Sequence, residues 1–305
     1  MQRRDLRRGA RDARDRARHR GRHLRTRTAS EPREELGSHL AQLDLSAPTQ
    51  VDTDAYARAT AHIDLPLGER LRQLAIELEC SRGVQGWSVL EPIYDAALAA
   101  DPELADTWSS RALAYWRTHP DSARAFATCL PMARRSTSLN PTDGHNHSIL
   151  GMLLYQAREL EDAEHILRRA IALGRRGWPH VWLAHTLHDQ RHWAEAADAY
   201  DHIPAEALPP TAAWRVQLAR QQRASCQLRA GQKAEAIATY AEVLTRYERA
   251  LDAGLPAHAS PVLAAGPPEY LFDDVGSLPE LQGRVAALRA RLEHHPDLSL
   301  HPAEP

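Results

Sequence analysis

The chain has 305 residues, 43% of them hydrophobic, with 38 basic against 40 acidic side chains and 17 histidines. There is enough apolar material for a core, yet no apolar run approaches the ~20 residues of a membrane span. Three cysteines, Cys80, Cys129 and Cys226, lack metal-site spacing and fit a reduced, cytoplasmic setting rather than a disulfide framework.

The near-neutral total hides an asymmetry. Residues 1–28 carry 12 arginines and 3 aspartates, whereas the other 277 residues carry 26 basic and 37 acidic side chains. This first stretch has no hydrophobic segment, so it reads as neither a secretory nor a twin-arginine export signal. Residues 1–52 are expected to be disordered, because their composition cannot bury enough surface to offset chain entropy. The arginine run fits an arm for nucleic acid or an acidic partner, a solvated tail, or an upstream extension of the chain.

From about residue 53 the pattern is helical and continues so to about residue 250. Leu71, Leu74, Ala75 and Leu78 have the spacing of one buried helix face. Pro92 and Pro131 are each expected to open a helix of about ten residues, where the first-turn N–H has no intrahelical partner. Asp101-Pro102 and Asn140-Pro141 close those helices, because the residue before proline is pushed out of the helical region.

The segment also repeats itself. Asp101-Pro102 recurs 39 residues later as Asn140-Pro141. Leu150, Gly151, Leu154 and Ala163 recur 33 residues later as Leu183, Ala184, Leu187 and Ala196. A period in this range indicates stacked supersecondary units. Extra residues are expected as turns around His119–Ser122 and near Ala205–Thr211. Residues 251–279 read as a partly ordered Pro/Gly-rich loop. A helix over about 280–294 then places Leu281, Val285, Leu288 and Leu292 on one face, as a cap for the array, before a frayed tail.

These residues resemble the tetratricopeptide repeat, whose pattern is W-x2-L-G-x2-Y, A-x3-F and P over 34 positions. The match is Leu150-Gly151-x2-Leu154 with Ala163-x3-Leu167-x2-Ala170, then Leu183-Ala184-x2-Leu187 with Ala196-x3-Tyr200. Further copies are Trp108-x2-Arg111-Ala112-x2-Tyr115 with Pro141, Ala224 with Ala236-x3-Tyr240, and a degenerate first copy with Tyr94, Ala97 and Pro102. The resemblance implies an all-α fold: a right-handed superhelical array of antiparallel helix pairs, an α-solenoid of four to five repeats with a C-terminal capping helix. It also implies a concave groove lined by the first helix of each pair. The groove positions would be Asp106, Ser109, Leu113, Trp116 and Arg117; His145, Ser148, Met152, Tyr155 and Gln156; Trp178, Val181, His185, His188 and Asp189; and Leu218, Gln221, Ser225, Leu228 and Arg229. Of these, Trp116, Arg117, His145, Tyr155, Trp178, His185, His188, Asp189 and Arg229 are the binding candidates, because large aromatics and arginine commonly anchor partners. The positions that form a carboxylate clamp in some members hold Ser148, Met152, Val181 and His185 here, a departure from that clamp.

No phosphate-binding loop, dinucleotide fingerprint, nucleophile elbow or H-E-x-x-H motif is present, so no cofactor is expected. The leading reading is a non-catalytic, cytoplasmic scaffold for a protein or peptide segment, with binding that responds to histidine titration between about pH 5 and 7. Two other readings stand beside it. One is an accessory protein touching nucleic acid through the arginine arm. The other is a metal-dependent enzyme using His180, His185, His188 and His192 with Asp189. Exposed helix edges at the array ends also allow a homo-oligomer.

Overall fold

A computed structural model describes residues 31–40, 51–81, 86–119, 123–254 and 256–295. The arginine run, residues 120–122 of the expected turn, and the expected frayed tail beyond residue 295 lie outside these described residues. Among the described residues the regular elements are all helical: fourteen α-helices and five short 3-10 turns, with no strand. The chain divides into two compact units, Met1–Pro102 and Glu103–Pro305.

The first unit contains α1 (Glu31–Leu40), α2 (Thr53–Ala59), α3 (Leu67–Ser81) and α4 (Trp87–Ala100). Helix α3 is the hub; α1, α2 and α4 all pack on it. Leu71, Leu74, Ala75 and Leu78 of α3 are fully buried, as their spacing requires. Helix α1 falls inside the stretch whose composition predicts no regular structure. Two leucines, Leu36 and Leu40, are buried on its inner side, and tertiary burial of this kind outweighs weak local propensity.

The second unit contains four successive helix pairs: α5 (Ala105–Thr118) with α6 (Ala123–Leu139), α7 (Gly144–Gln156) with α8 (Leu160–Ala172), α9 (Trp178–Asp189) with α10 (Trp193–Asp201), and α11 (Ala213–Arg229) with α12 (Lys233–Asp252). Each helix packs on the next in sequence, and α7 also touches α5 and α9, the first helices of the neighbouring pairs. The small positions of the repeat explain how closely the pairs cross. Ala112, Gly151, Ala184 and Ala224 are buried on the first helices, facing buried Ala163, Ala196 and Ala236 on the second. At Gly151 the approach is so close that a Cβ would stand 2.6 Å from Leu167 Cγ. No larger residue fits there without repacking.

The turns inside the pairs repeat as well. Arg158, Arg191 and Gly231 are left-handed, with φ of 65°, 64° and 81°. In each case the following N–H reaches back five residues: Glu159 to Leu154 O, His192 to Leu187 O and Gln232 to Gln227 O, at 3.0, 2.9 and 2.9 Å. This is the Schellman closure, which satisfies orphan carbonyls at a helix end.

Two proline expectations need correction. Pro92 lies inside α4 and Pro131 inside α6, so neither opens its helix. Both prolines are on the exposed face, and the carbonyl-bearing residues four positions earlier, Ser88 and Ala127, are exposed too. The carbonyls left without an intrahelical donor thus belong to residues open to solvent. A continuous buried stripe, Leu90, Ile93, Tyr94 and Ala97 in α4 and Ala125, Cys129 and Ala133 in α6, carries each helix past its proline.

The end of the chain is more ordered than a loop. Three 3-10 turns, α13 (Glu269–Asp274) and α14 (Gln282–Glu293) follow α12. The turn Leu263–Ala265 and α13 pack on α11, and α14 packs on α12. Leu263, Leu271, Leu278, Val285, Leu288 and Leu292 join Ala224, Tyr240, Leu244 and Tyr247 in one core. The exposed side of α14 carries Gln282, Arg284, Arg289, Arg291 and Glu293 among small residues, which suits a terminal cap.

Candidate functional site

Helix α9 organises the most distinctive side-chain cluster of the second unit. Trp178, Trp182, His185 and Asp189 are spaced by four, three and four residues, so they run along one helix face. Trp178 and Trp182 stack with ring centroids 6.4 Å apart, and His185 meets the Trp182 ring edge-on at 5.9 Å. Neighbouring helices extend this ladder. Tyr155, at the end of α7, lies 5.6 Å from Trp182 and 6.3 Å from His185. Tyr200 of α10 meets His185 at 5.6 Å, and its hydroxyl is 2.9 Å from His185 Nδ1. The first turn of α11 brings Arg215, whose guanidinium carbon is 5.1 Å from the Trp178 centroid and 4.6 Å from that of Trp214. Apart from buried Tyr200, every one of these side chains keeps part of its surface exposed.

At the other end of the face lies a charged cluster. Asp189 is bound by the Arg158 guanidinium and by His188 Nδ1 at 3.1 Å. A carboxylate only accepts, so Nδ1 carries the His188 proton. The His188 ring meets Trp193 edge-on at 5.3 Å. Arg229 sits over the same Trp193 ring at 5.6 Å and pairs with Asp274 at 3.6 Å.

The ionisation behaviour follows from these surroundings. Burial, helped by the nearby Arg215 and His188 charges, pushes His185 down to about 4. Burial and the adjoining Asp189 push the Tyr155 hydroxyl up to about 12. Burial would raise Asp189, but hydrogen bonds from His188 and Arg158 outweigh it and hold the carboxyl below its usual range. His185 is therefore neutral throughout pH 5–7. For His185, one of the expected histidines, burial thus moves the transition below that interval.

Of the nine residues singled out from sequence, Tyr155, Trp178, His185, His188 and Asp189 meet here. Arg229 joins them through Trp193. Trp116 is half-buried on the core shared by α5–α8, Arg117 is exposed at the end of α5, and His145 lies in the first turn of α7. Several groove positions taken from the repeat pattern are not surface at all. Ser109, Ser148, Met152, Val181, Gln221 and Ser225 are buried. Val181 is covered by Leu208 and Ala212 of the insertion between α10 and α11. Gln221 is held by Tyr247, whose hydroxyl also bonds Gly266 of the C-terminal segment.

The histidine set also separates. His185 is committed to Tyr200 and His188 to Asp189 and Trp193, while His192 occupies the N-cap position of α10 without a side-chain cap bond and His180 borders a groove with Leu183, Leu187 and His202. Among the described residues no group of three or more His, Cys, Asp or Glu side chains is placed to hold a metal ion. The i, i+4 spacing aligned these residues on paper, but among the described residues the four rings do not converge on one point.

Tyr200 was read as a repeat position and not as a ladder member, and Trp182, Trp193, Arg158, Trp214 and Arg215 are ladder or cluster members that the repeat pattern did not single out. Trp182 was legible, being four residues from Trp178 and three from His185. The last two were not, because the insertion at residues 203–212 decides where α11 begins relative to α9.

No protein-family model matches the chain, and no curated protein matches it. Among solved structures, the crystal structure of MamA protein aligns with a TM-score of 0.47 at 17% identity, over 67% of this chain and 96% of that one. At that level the likeness carries no argument about the site.

Proposed function

We propose that this chain is a tetratricopeptide-type scaffold, without catalytic activity, that binds a protein or peptide segment along the ring ladder of α9. One observation carries the reading: Trp178, Trp182, Tyr155 and His185 form a continuous run of ring contacts across two helices while part of each ring stays accessible. Partly exposed, rigid aromatics offer large contact area at little cost in side-chain entropy, and such side chains dominate interface hot spots. Helical grooves of this kind take extended or helical peptides. No described helix is long and apolar enough to cross a membrane, and a cytoplasmic partner fits the reading. No observation favours the nucleic-acid alternative, since its arginine arm lies outside the described residues.

The test is selection of a displayed random dodecapeptide library on the full chain, repeated on a Trp178→Ala/Trp182→Ala/Tyr155→Ala variant whose fold is checked by circular dichroism. Peptides enriched on the parent and lost on the variant are the expected result. Equal enrichment on both proteins overturns the assignment of the ladder.

A further inference from the structure

We propose that the segment taken by the ladder presents a carboxylate side chain and that Arg215 is the residue that binds it. This rests on the groove reading above and adds the chemistry of the ligand to it.

Among the described residues Arg215 differs from several arginines of the second unit in lacking an acidic partner, as Arg220 and Arg289 also do, and it alone of the three joins the ring ladder. Arg158, Arg223, Arg229, Arg284 and Arg291 each pair with an acid: Asp189, Asp201, Asp274, Glu248 and Asp252. Arg215 is half-buried, yet among the described residues its guanidinium forms no ion pair and no hydrogen bond; its contacts are the Trp178 and Trp214 rings. Stacking engages the faces of a guanidinium and leaves the in-plane N–H fork to bind elsewhere. That fork matches a carboxylate in two parallel hydrogen bonds. The arrangement is pre-organised, because the rings hold the planar group and less freedom is lost when a ligand arrives.

The surroundings select the kind of anion. Burial lowers the basicity of Arg215, as expected where no counter-ion sits beside the cation. The titratable neighbour on α9, His185, is neutral at physiological pH, so no second cation on that helix face reinforces the first. One half-buried guanidinium balances one negative charge. A phosphate, with nearly two, calls for an arginine cluster. The adjoining surface is aromatic, so the carboxylate belongs to a side chain whose neighbours in the peptide lie along Trp178 and Trp182.

The experiment uses the same dodecapeptide library, displayed with its C-termini blocked, on the parent chain and on Arg215→Gln. On the parent, the ladder-dependent peptides are expected to be enriched in Asp and Glu, and on Arg215→Gln that bias disappears. A synthetic winner should lose about tenfold in affinity on Glu→Gln, about tenfold on Arg215→Gln, and little more when both changes are combined, in keeping with one charge-assisted pair. Arg215→Lys should recover only part of the loss, since a point charge lacks the fork. Ladder-dependent peptides without acidic bias, a bias unchanged in Arg215→Gln, or tighter binding when phosphoserine replaces the Glu would each overturn the carboxylate assignment while leaving the groove standing. A library yielding no peptide that depends on Trp178 and Trp182 would remove the groove, and this assignment with it.

Discussion

The α7/α8 pair and the α11/α12 pair share one backbone plan and solve the interior differently. In α7/α8 the crossing is dry: Gly151 on one helix, Ala163 and Leu167 on the other, with carbon against carbon. In α11/α12 the same small positions survive as Ala224 and Ala236, but the large ones are Tyr240 and Tyr247, both fully buried. The Tyr240 hydroxyl is 2.6 Å from the Asp274 carboxylate and 3.1 Å from the Tyr270 carbonyl, and the Tyr247 hydroxyl reaches the Gly266 carbonyl. The reason is what each pair must cover. An internal pair meets another pair of helices, whose backbone groups are already satisfied. The last pair meets an irregular segment with free carbonyls, and a buried carbonyl without a donor is costly. Tyrosine keeps the bulk a repeat position needs and adds the donor a non-repeat neighbour needs.

The dry crossing is where the largest effects are expected. Leu167→Ala should cost about 2–5 kcal/mol in urea unfolding by opening a cavity. Gly151→Ala should cost about 1–3 kcal/mol by overpacking against Leu167. Combined, the two should cost clearly less than their sum, because the added methyl enters the space the leucine vacated. Strict additivity would show that the residues do not share one crossing.

The capped end should respond to a subtler change. Tyr240→Phe removes one oxygen and leaves the Asp274 carboxylate and Tyr270 carbonyl short of a donor, a loss of about 1–3 kcal/mol. Hydrogen exchange should then quicken in residues 263–278 and stay unchanged in α7 and α8. Uniform protection in both regions would mean that apolar packing alone holds the cap, and the contrast between the pairs would fail.

The smallest effects lie in the shared turns. Gly231→Ala places a Cβ on a left-handed backbone and should lower stability by about 1–2 kcal/mol. Arg191→Gly at the equivalent place should raise it by up to about 1 kcal/mol, less the entropy that glycine adds to the unfolded chain. Thermal melts of the two variants moving in the same direction would break the equivalence of the turns.

Reading the sequence located the crossings well and anticipated only some of the residues that meet in the ring ladder. Gly151, Ala163, Ala184 and Ala196 are tied to neighbours within their own pair or the next, so their spacing carries the information. Trp178, His185 and Asp189 were legible for the same reason, as a stripe on one helix. The insertion at residues 203–212 and the segment after α12 obey no period, and they bury Val181 and Gln221, which the pattern had placed in the groove.

The amino-acid sequence by itself thus determined that paired helices would form and where their backbones would touch, because periodic burial and the absence of a side chain at Gly151 are local facts. Only the tertiary structure decided which face stays open, that His185 points to Tyr200, and that Arg215 rests on Trp178 without an acid among the described residues. Those outcomes depend on how segments far apart in the chain are brought together by non-repeating connections, and their geometry is set by packing, not by spacing.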